Sequence, residues 1–217
     1  GTHATLTLVN GFRPAPAGIF GLFFDSNTIP TIALSGVDVV ADGASALYGS
    51  DAIAGVVNLK LRTDLDGVDV SARYGFADDY HSYQGSIAAG KKWDTGHVML
   101  AFEKSFHTPL YALDRTNQYQ ADQRSVGGTD LRTTFSSPPN IVVGTTTYGV
   151  PANPSGSALT FANLSTTPNL MSGWTGATAI PEQDRYSVVL AGDQEISPSV
   201  KLYVQGFYTR REFSRSY

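Results

Sequence analysis

Residues 43–61 read GASALYGSDAIAGVVNLKL, and the order of residue types in this run fixes a local structure. Gly43 to Tyr48 offers small residues and one turn of helix formers, with Asp42 and Ser45 at hand for the open amides of a helix start. Gly49 stops that turn, because glycine enters positive φ without a Cβ clash. After Ser50 and Asp51 the chain turns again at Gly55 and enters Val56 to Leu61, a β-branched strand. The run predicts a short helix, a glycine turn and a strand.

With those residues in place, the run resembles the end of the plug domain of TonB-dependent outer-membrane receptors, a stretch of the form GxxSxLYGSxAxGGVINIxTK. Tyr48, Gly49, Ser50, Gly55, Val57 and Asn58 all match. Upstream, Val9-Asn10-Gly11 is similar to the strand end that precedes the family's apical loop, and Thr28-Ile29-Pro30 to the xIP before its next strand. The chain departs from the pattern at Ser35, Gly36, Val37 and Asp38, where the family has Glu-Arg-(Ile/Val)-Glu, and at Ala41, where many members have arginine. In the family those charges latch the plug to the barrel wall, and here Asp38 alone could keep that role. Losing such a pair whole is close to neutral, whereas losing one partner is costly.

Composition narrows the remaining possibilities. No apolar run reaches the roughly 20 residues of a membrane helix, so any membrane insertion is by strands. The absence of cysteine removes disulfides and thiolate metal sites. A net charge of -4 argues against nucleic acid as a partner.

Downstream of the run the periodicity changes to two. In 67–76, Val68, Val70, Ala72, Tyr74 and Phe76 oppose Asp69, Ser71, Arg73 and Gly75. In 80–93, Tyr83, Ile87 and Ala89 oppose Ser82, Gln84, Ser86 and Ala88. In the next segment Val98, Leu100, Phe102 and Phe106 oppose Met99, Ala101, Glu103, Ser105 and His107. The first two connections are short, at Asp78-Asp79 and at Trp93 to Gly96. The stretch from Thr108 to Pro181, rich in Thr, Ser, Asn, Gly and Pro, reads as irregular. A structureless loop of such length is foreign to a compact soluble domain, but outer-membrane barrels join strands by short turns on one side and long loops on the other. With the first strand rising from the plug, the long stretch falls on the outer side.

After it, Tyr186, Val188 and Leu190 alternate with Ser187, Val189 and Ala191, a short turn surrounds Pro198, and a further strand runs from Val200 to Arg211. Its inward face is open, because Leu202, Val204 and Tyr208 compete with Tyr203 and Phe207. Trp93 and Tyr80 near strand ends suit a membrane interface. Periodicity alone also fits a soluble β-sandwich.

The expected fold is therefore a mixed plug of short helices and a small β-sheet over residues 1–63, followed over 64–217 by antiparallel transmembrane barrel strands with a long extracellular loop near 108–183. A plugged barrel of this class has about 22 strands and about five are found here, so the reading expects part of a longer receptor, without a signal peptide or coupling box.

Candidate functional residues lie in Arg13 to Asn27, RPAPAGIFGLFFDSN, where the family's plug raises a loop toward the outside. Arg13, Phe20, Phe23, Phe24 and Asp25 are candidates for contact with a siderophore, a sugar or a peptide. The competing reading packs Phe20, Phe23 and Phe24 into the plug core. Tyr48, Gly49, Ser50, Gly55 and Asn58 are structural motif residues. His81, His97 and His107 lack metal-site spacing, Asp64, Asp66, Asp78 and Asp79 lack the oxygen spacing of a calcium loop, and no catalytic arrangement stands out, so neither enzyme nor cofactor is expected.

Two functions follow. The resemblance implies an outer-membrane active transporter for a scarce nutrient, with a TonB-type energy-coupling protein and membrane lipid as partners. The alternative is a surface-exposed β-rich binding or adhesion protein without transport, in which 108–181 carries the activity.

Overall fold

The computed structural model describes residues 5–16, 24–41, 44–152 and 159–217, without the side chains of Thr116 and Asn117. Three strands, β1 (Thr5–Val9), β2 (Leu34–Val40) and β3 (Gly55–Leu61), make a mixed sheet in the order β1-β3-β2. β1 runs parallel to β3 and β2 antiparallel to it. β3 is central and buries Gly55, Leu59 and Leu61 on one face and Val56 on the other, while Lys60 remains exposed. Val56 packs with Leu6, Leu8, Ala44 and Ala52 on one side, and Leu59 and Leu61 pack with Val9, Ile29 and Ala33 on the other.

Helix α1 (Ser45–Tyr48) is the predicted single turn, closed by Gly49 at φ 85°. One expectation is corrected here. Ser45 lies inside the helix, and the capping position is Ala44, which makes no side-chain cap hydrogen bond. Asp42 lies outside the described residues.

Beyond the plug sheet, β4 (Gly67–Ala77), β5 (Tyr80–Trp93) and β6 (Gly96–His107) follow as a meander. The chain then forms β7 (Leu110–Tyr111), a second helical turn α2 (Thr116–Tyr119), β8 (Asn140–Val143), β9 (Thr146–Gly149) and β10 (Thr178–Ile180), before the long strands β11 (Glu182–Ser197) and β12 (Val200–Ser214). The five long strands form one sheet in the order β12-β11-β6-β5-β4, with β6 antiparallel to both β5 and β11. In β5, β6 and β11 the alternation separates the faces as expected. Ala88, Met99, Ala101, Ser187, Val189 and Ala191 are buried, while Ile87, Leu100, Phe102 and Leu190 remain exposed. The open question at β12 resolves in favour of Phe207, which turns inward with Gln205 and Thr209, leaving Leu202, Val204 and Tyr208 outside.

The chain divides into two compact units: Gly1–Ala77, His81–His107 and Gln183–Glu212 form the first, and Asp78–Tyr80, Thr108–Glu182 and Phe213–Tyr217 the second. In the first, the plug sheet rests on the inward face of the long sheet, so that Val9, Leu59, Leu61 and Leu65 share one core with Ala88, Met99, Ala101 and Val189. Small side chains on the long sheet permit this close approach. At Gly90 a Cβ would lie 2.6 Å from the Leu65 carbonyl oxygen, so glycine there lets the linker to β4 lie flat on β5.

The second unit is less irregular than its composition predicts. β8 and β9 form a hairpin, and β7 pairs with β10. Elsewhere side chains replace ladder hydrogen bonds. Asn169 Nδ2 donates to the Val150 carbonyl at 2.8 Å and to the Pro139 carbonyl at 3.1 Å, while its amide donates to Asn140 Oδ1 at 2.8 Å. Asn and Asp side chains thus order a stretch that lacks apolar periodicity.

Candidate functional site

The plug motif is a set of backbone clamps. Asn10 and Gly11 turn the chain at the end of β1 with φ of 49° and 82°. That turn is held from β3, because the Gly11 amide donates to Asn58 Oδ1 at 2.8 Å and the Leu61 amide to Asn10 Oδ1 at 2.8 Å. Gly55 opens β3 at φ 125°, where a Cβ would lie 2.3 Å from the Val40 carbonyl oxygen, so a side chain there is excluded both by φ and by space. Gly49 closes α1, and Ser50 begins the turn Ser50–Ala52 that seats buried Ala52 under the sheet.

The candidate ligand residues divide between two environments. The Arg13 guanidinium pairs with Asp51 at 2.6 Å and donates to the Tyr48 carbonyl, which fastens the start of the apical segment to the motif. Phe24 packs against the core with its ring 5.7 Å from that of Phe207, edge to face. Asp25 Oδ1 accepts the Asn27 amide at 3.0 Å and so caps the turn Ser26–Thr28, while Oδ2 pairs with Arg211 of β12 at 3.1 Å. Phe20 and Phe23 lie outside the described residues. Phe24 and Asp25 are therefore brought together on β12, and Arg13 is directed to the motif. Asp38, the one carboxylate left at the family's charged positions, pairs with Lys60 on the neighbouring strand at 2.9 Å. Its charge is thus engaged within the plug sheet.

Sequence reasoning did not single out the most buried charge of the long sheet. Glu103 on β6 is only 3% exposed. Its carboxylate accepts Gln84 Nε2 at 2.7 Å from β5 and Arg185 at 3.2 Å from β11, a lateral bridge over three strands. The legible signal was an acidic residue flanked on its face by Met99, Ala101 and Ser105. Nearer the tight turns, His97 Nδ1 lies 3.0 Å from Asp193, which Lys201 approaches at 3.2 Å. Among the described residues no group of three or more His, Cys, Asp or Glu side chains is arranged to hold a metal ion.

The outward face is of a different character. Leu100 is 52% exposed and Val70 71%. Tyr83 stacks on Phe106 at 5.2 Å and Tyr186 lies 6.0 Å from Tyr208, an aromatic row across β5, β6, β11 and β12. No described helix is long and apolar enough to cross a membrane.

A small mixed sheet seated on the inner face of an antiparallel β-wall, held by asparagine clamps and a Tyr-Gly-Ser turn, defines a plug. Residues 1–56 match the family model described as TonB-dependent Receptor Plug Domain. Over these residues the chain is similar to a TonB-dependent receptor plug.

Proposed function

We propose that the chain is part of an outer-membrane active transporter that binds a scarce nutrient, such as a siderophore or a sugar, and imports it into the periplasm under the action of a TonB-type energy-coupling protein. The observation that carries this reading is the two-faced sheet. Its inner face over β5, β6 and β11 is covered by a sheet similar to a TonB-dependent receptor plug, and its outer face exposes Ile87, Leu100, Phe102 and Val204. In water such a face is a liability; against lipid it is the expected surface of a barrel.

The dimensions support the same reading. On the outer face of β5 the aromatic residues Tyr83 and Trp93 flank Gly85, Ile87, Ala89 and Lys91, with Lys91 next to the Trp93 end, where it pairs with Asp66. The separation of Tyr83 and Trp93 along a strand is about 33 Å at ~3.3 Å per residue, and a strand tilt of about 40° reduces it to roughly the 25 Å of an outer-membrane apolar band. The proposed whole is a barrel of about 22 strands, with β4 and β12 continued by further strands. Arg13, Phe24 and Asp25, with Phe20 and Phe23 of the same segment, are the proposed ligand-proximal residues. No chemical step is assigned to the chain.

The test is uptake. Cells of the source bacterium deleted for this gene, and cells deleted for the energy-coupling protein, are compared over a panel of ferric siderophores and oligosaccharides. Transport predicts at least one compound whose accumulation falls in both strains. A protein that fractionates with the aqueous phase, with uptake unchanged in both strains, would instead support the surface-binding alternative.

A further inference from the structure

Three inward side chains of β12 meet the plug in succession. Gln205 Oε1 accepts Asn10 Nδ2 at 3.2 Å, the Phe207 ring receives Phe24 at 5.7 Å, and Arg211 pairs with Asp25 at 3.1 Å. Thr209, between the last two, is turned to the neighbouring strand, where its hydroxyl lies 3.0 Å from Ser187 Oγ and donates to the Tyr186 carbonyl at 3.2 Å. One strand therefore grips two separate parts of the plug, the turn after β1 and the segment that leads into β2. The same strand is fastened to β11 between Phe207 and Arg211.

The plug's seat on β5, β6 and β11 is of another kind. Val9, Leu59 and Leu61 are 0%, 6% and 2% exposed and pack on Ala88, Met99 and Val189, a dry surface whose opening exposes apolar area on both sides. The contacts to β12 include polar and part-exposed groups, with the Arg211 side chain 47% exposed and that of Asp25 23%. Ion pairs of that exposure are weak and sensitive to salt.

We propose that β12 is the releasable clasp of the plug. Separation of Asp25 from Arg211, with Asn10 from Gln205, frees Phe24–Thr28 and the turn at Asn10-Gly11 from the wall while the apolar seat on β5, β6 and β11 stays packed. The clasp goes beyond the transport reading and is tested without it.

The test is hydrogen exchange on the full-length protein, purified from its membrane fraction, with Asp25→Asn, Arg211→Gln and the double variant. Asp25→Asn keeps Oδ1 as the acceptor for the Asn27 amide, so the turn remains capped. Each single variant is expected to speed exchange of the Asn27 and Thr28 amides about threefold or more, with the Ile29 and Ala33 amides of the packed core unchanged, and the double variant no further than the larger single, because both remove the Asp25–Arg211 pair. Phe207→Ala is expected to speed the Asn27 and Thr28 amides, with the β5 and β6 amides unchanged. Lys104→Gln, which removes the part-exposed pair with Asp184 instead, leaves all of them unchanged. Single variants without effect, additive single effects, or acceleration of Ile29, Ala33, β5 and β6 in step with Asn27 and Thr28 would each overturn the clasp. A protein that fails to transport any compound but shows the expected exchange pattern would refute only the transport reading.

Discussion

Asn58 Oδ1 accepts the Gly11 amide at 2.8 Å, joining the plug's central strand to the turn after its first. The reciprocal bond from the Leu61 amide to Asn10 Oδ1 has the same length. The asparagines at the two ends of this clamp are therefore present for a geometrical reason. A turn with positive φ at both Asn10 and Gly11 leaves the Gly11 amide facing β3, where the Asn58 side chain takes it, while the Leu61 amide of β3 faces the turn and is taken by Asn10. Replacing Asn58 by Ala removes one acceptor and should cost the plug about 1–2 kcal/mol. The check is the urea midpoint of plug unfolding, together with loss of Gly11 amide protection.

Gly55 is the stricter position. Its φ of 125° is costly for any side chain, and the Val40 carbonyl oxygen, 2.3 Å from where a Cβ would lie, cannot withdraw without breaking the pairing of β2 with β3. Gly55→Ala should therefore destabilise the plug by more than about 3 kcal/mol, combining backbone strain with overpacking. Limited proteolysis of the variant should cut within residues 34–61, and a plug as resistant as the wild type would contradict this account.

How far the sequence discloses these relationships depends on the kind of interaction. Period-two alternation predicts the inward and outward faces of β5, β6 and β11, because a pleated strand leaves no other choice once one face is buried. At β12 apolar side chains stand on both faces, and the choice falls to the plug, since Phe24 packs on Phe207. The short elements of 108–181 were not legible, because hydrogen bonds from Asn140 and Asn169 to distant backbone order them and such partners leave no periodic trace. Among the candidate ligand residues, the engagement of Arg13 with Asp51 and of Asp25 with Arg211 spans 38 and 186 positions of sequence. No local pattern encodes those pairings.

The Glu103–Arg185 bridge shows the cost of half a pair. Glu103→Ala leaves the Arg185 guanidinium, whose side chain is 18% exposed, on an inner wall without its carboxylate. The expected loss is about 3–5 kcal/mol, whereas the double variant Glu103→Met with Arg185→Met should recover most of it. Urea or guanidinium unfolding of the wild type, the single variant and the double variant checks this. Equal stability of the single and double variants would mean that the pair is solvated.

In the second unit, Asp122 and Asp130 interleave with Arg124 and Arg132, with contacts of 2.6 Å from Arg124 to Asp122 and 2.8 Å from Arg132 to Asp130. The hydrogen bond from Arg124 holds the Asp122 carboxyl at about 2, below its ordinary 3.8, and the bond from Arg132 lowers that of Asp130. A carboxyl lowered on folding stabilises above its unfolded value, and that contribution disappears as pH falls through the folded one. The loop 121–132 should accordingly hold its structure at pH 5 and lose the contribution of this network between about pH 4 and 2. Arg124→Gln should raise the Asp122 titration toward 3.8. Carboxyl chemical shifts followed against pH decide the matter.

The outward face gives the sharpest separation of membrane from water. Leu100 sits in the middle of β6, 52% exposed, between Val98 and Phe102 on the same face. On a soluble sheet an arginine at such a position costs within about 0.5 kcal/mol, since the side chain is already in solvent. At the midplane of a bilayer the same change costs roughly 2–4 kcal/mol. Leu100→Arg should therefore lower the folded yield in lipid vesicles and the unfolding free energy by that larger amount. An arginine at Val68, closer to the end of β4, should cost less, because the penalty falls toward the interface. Equal and negligible costs at both positions would place this face in water and remove the barrel reading together with it.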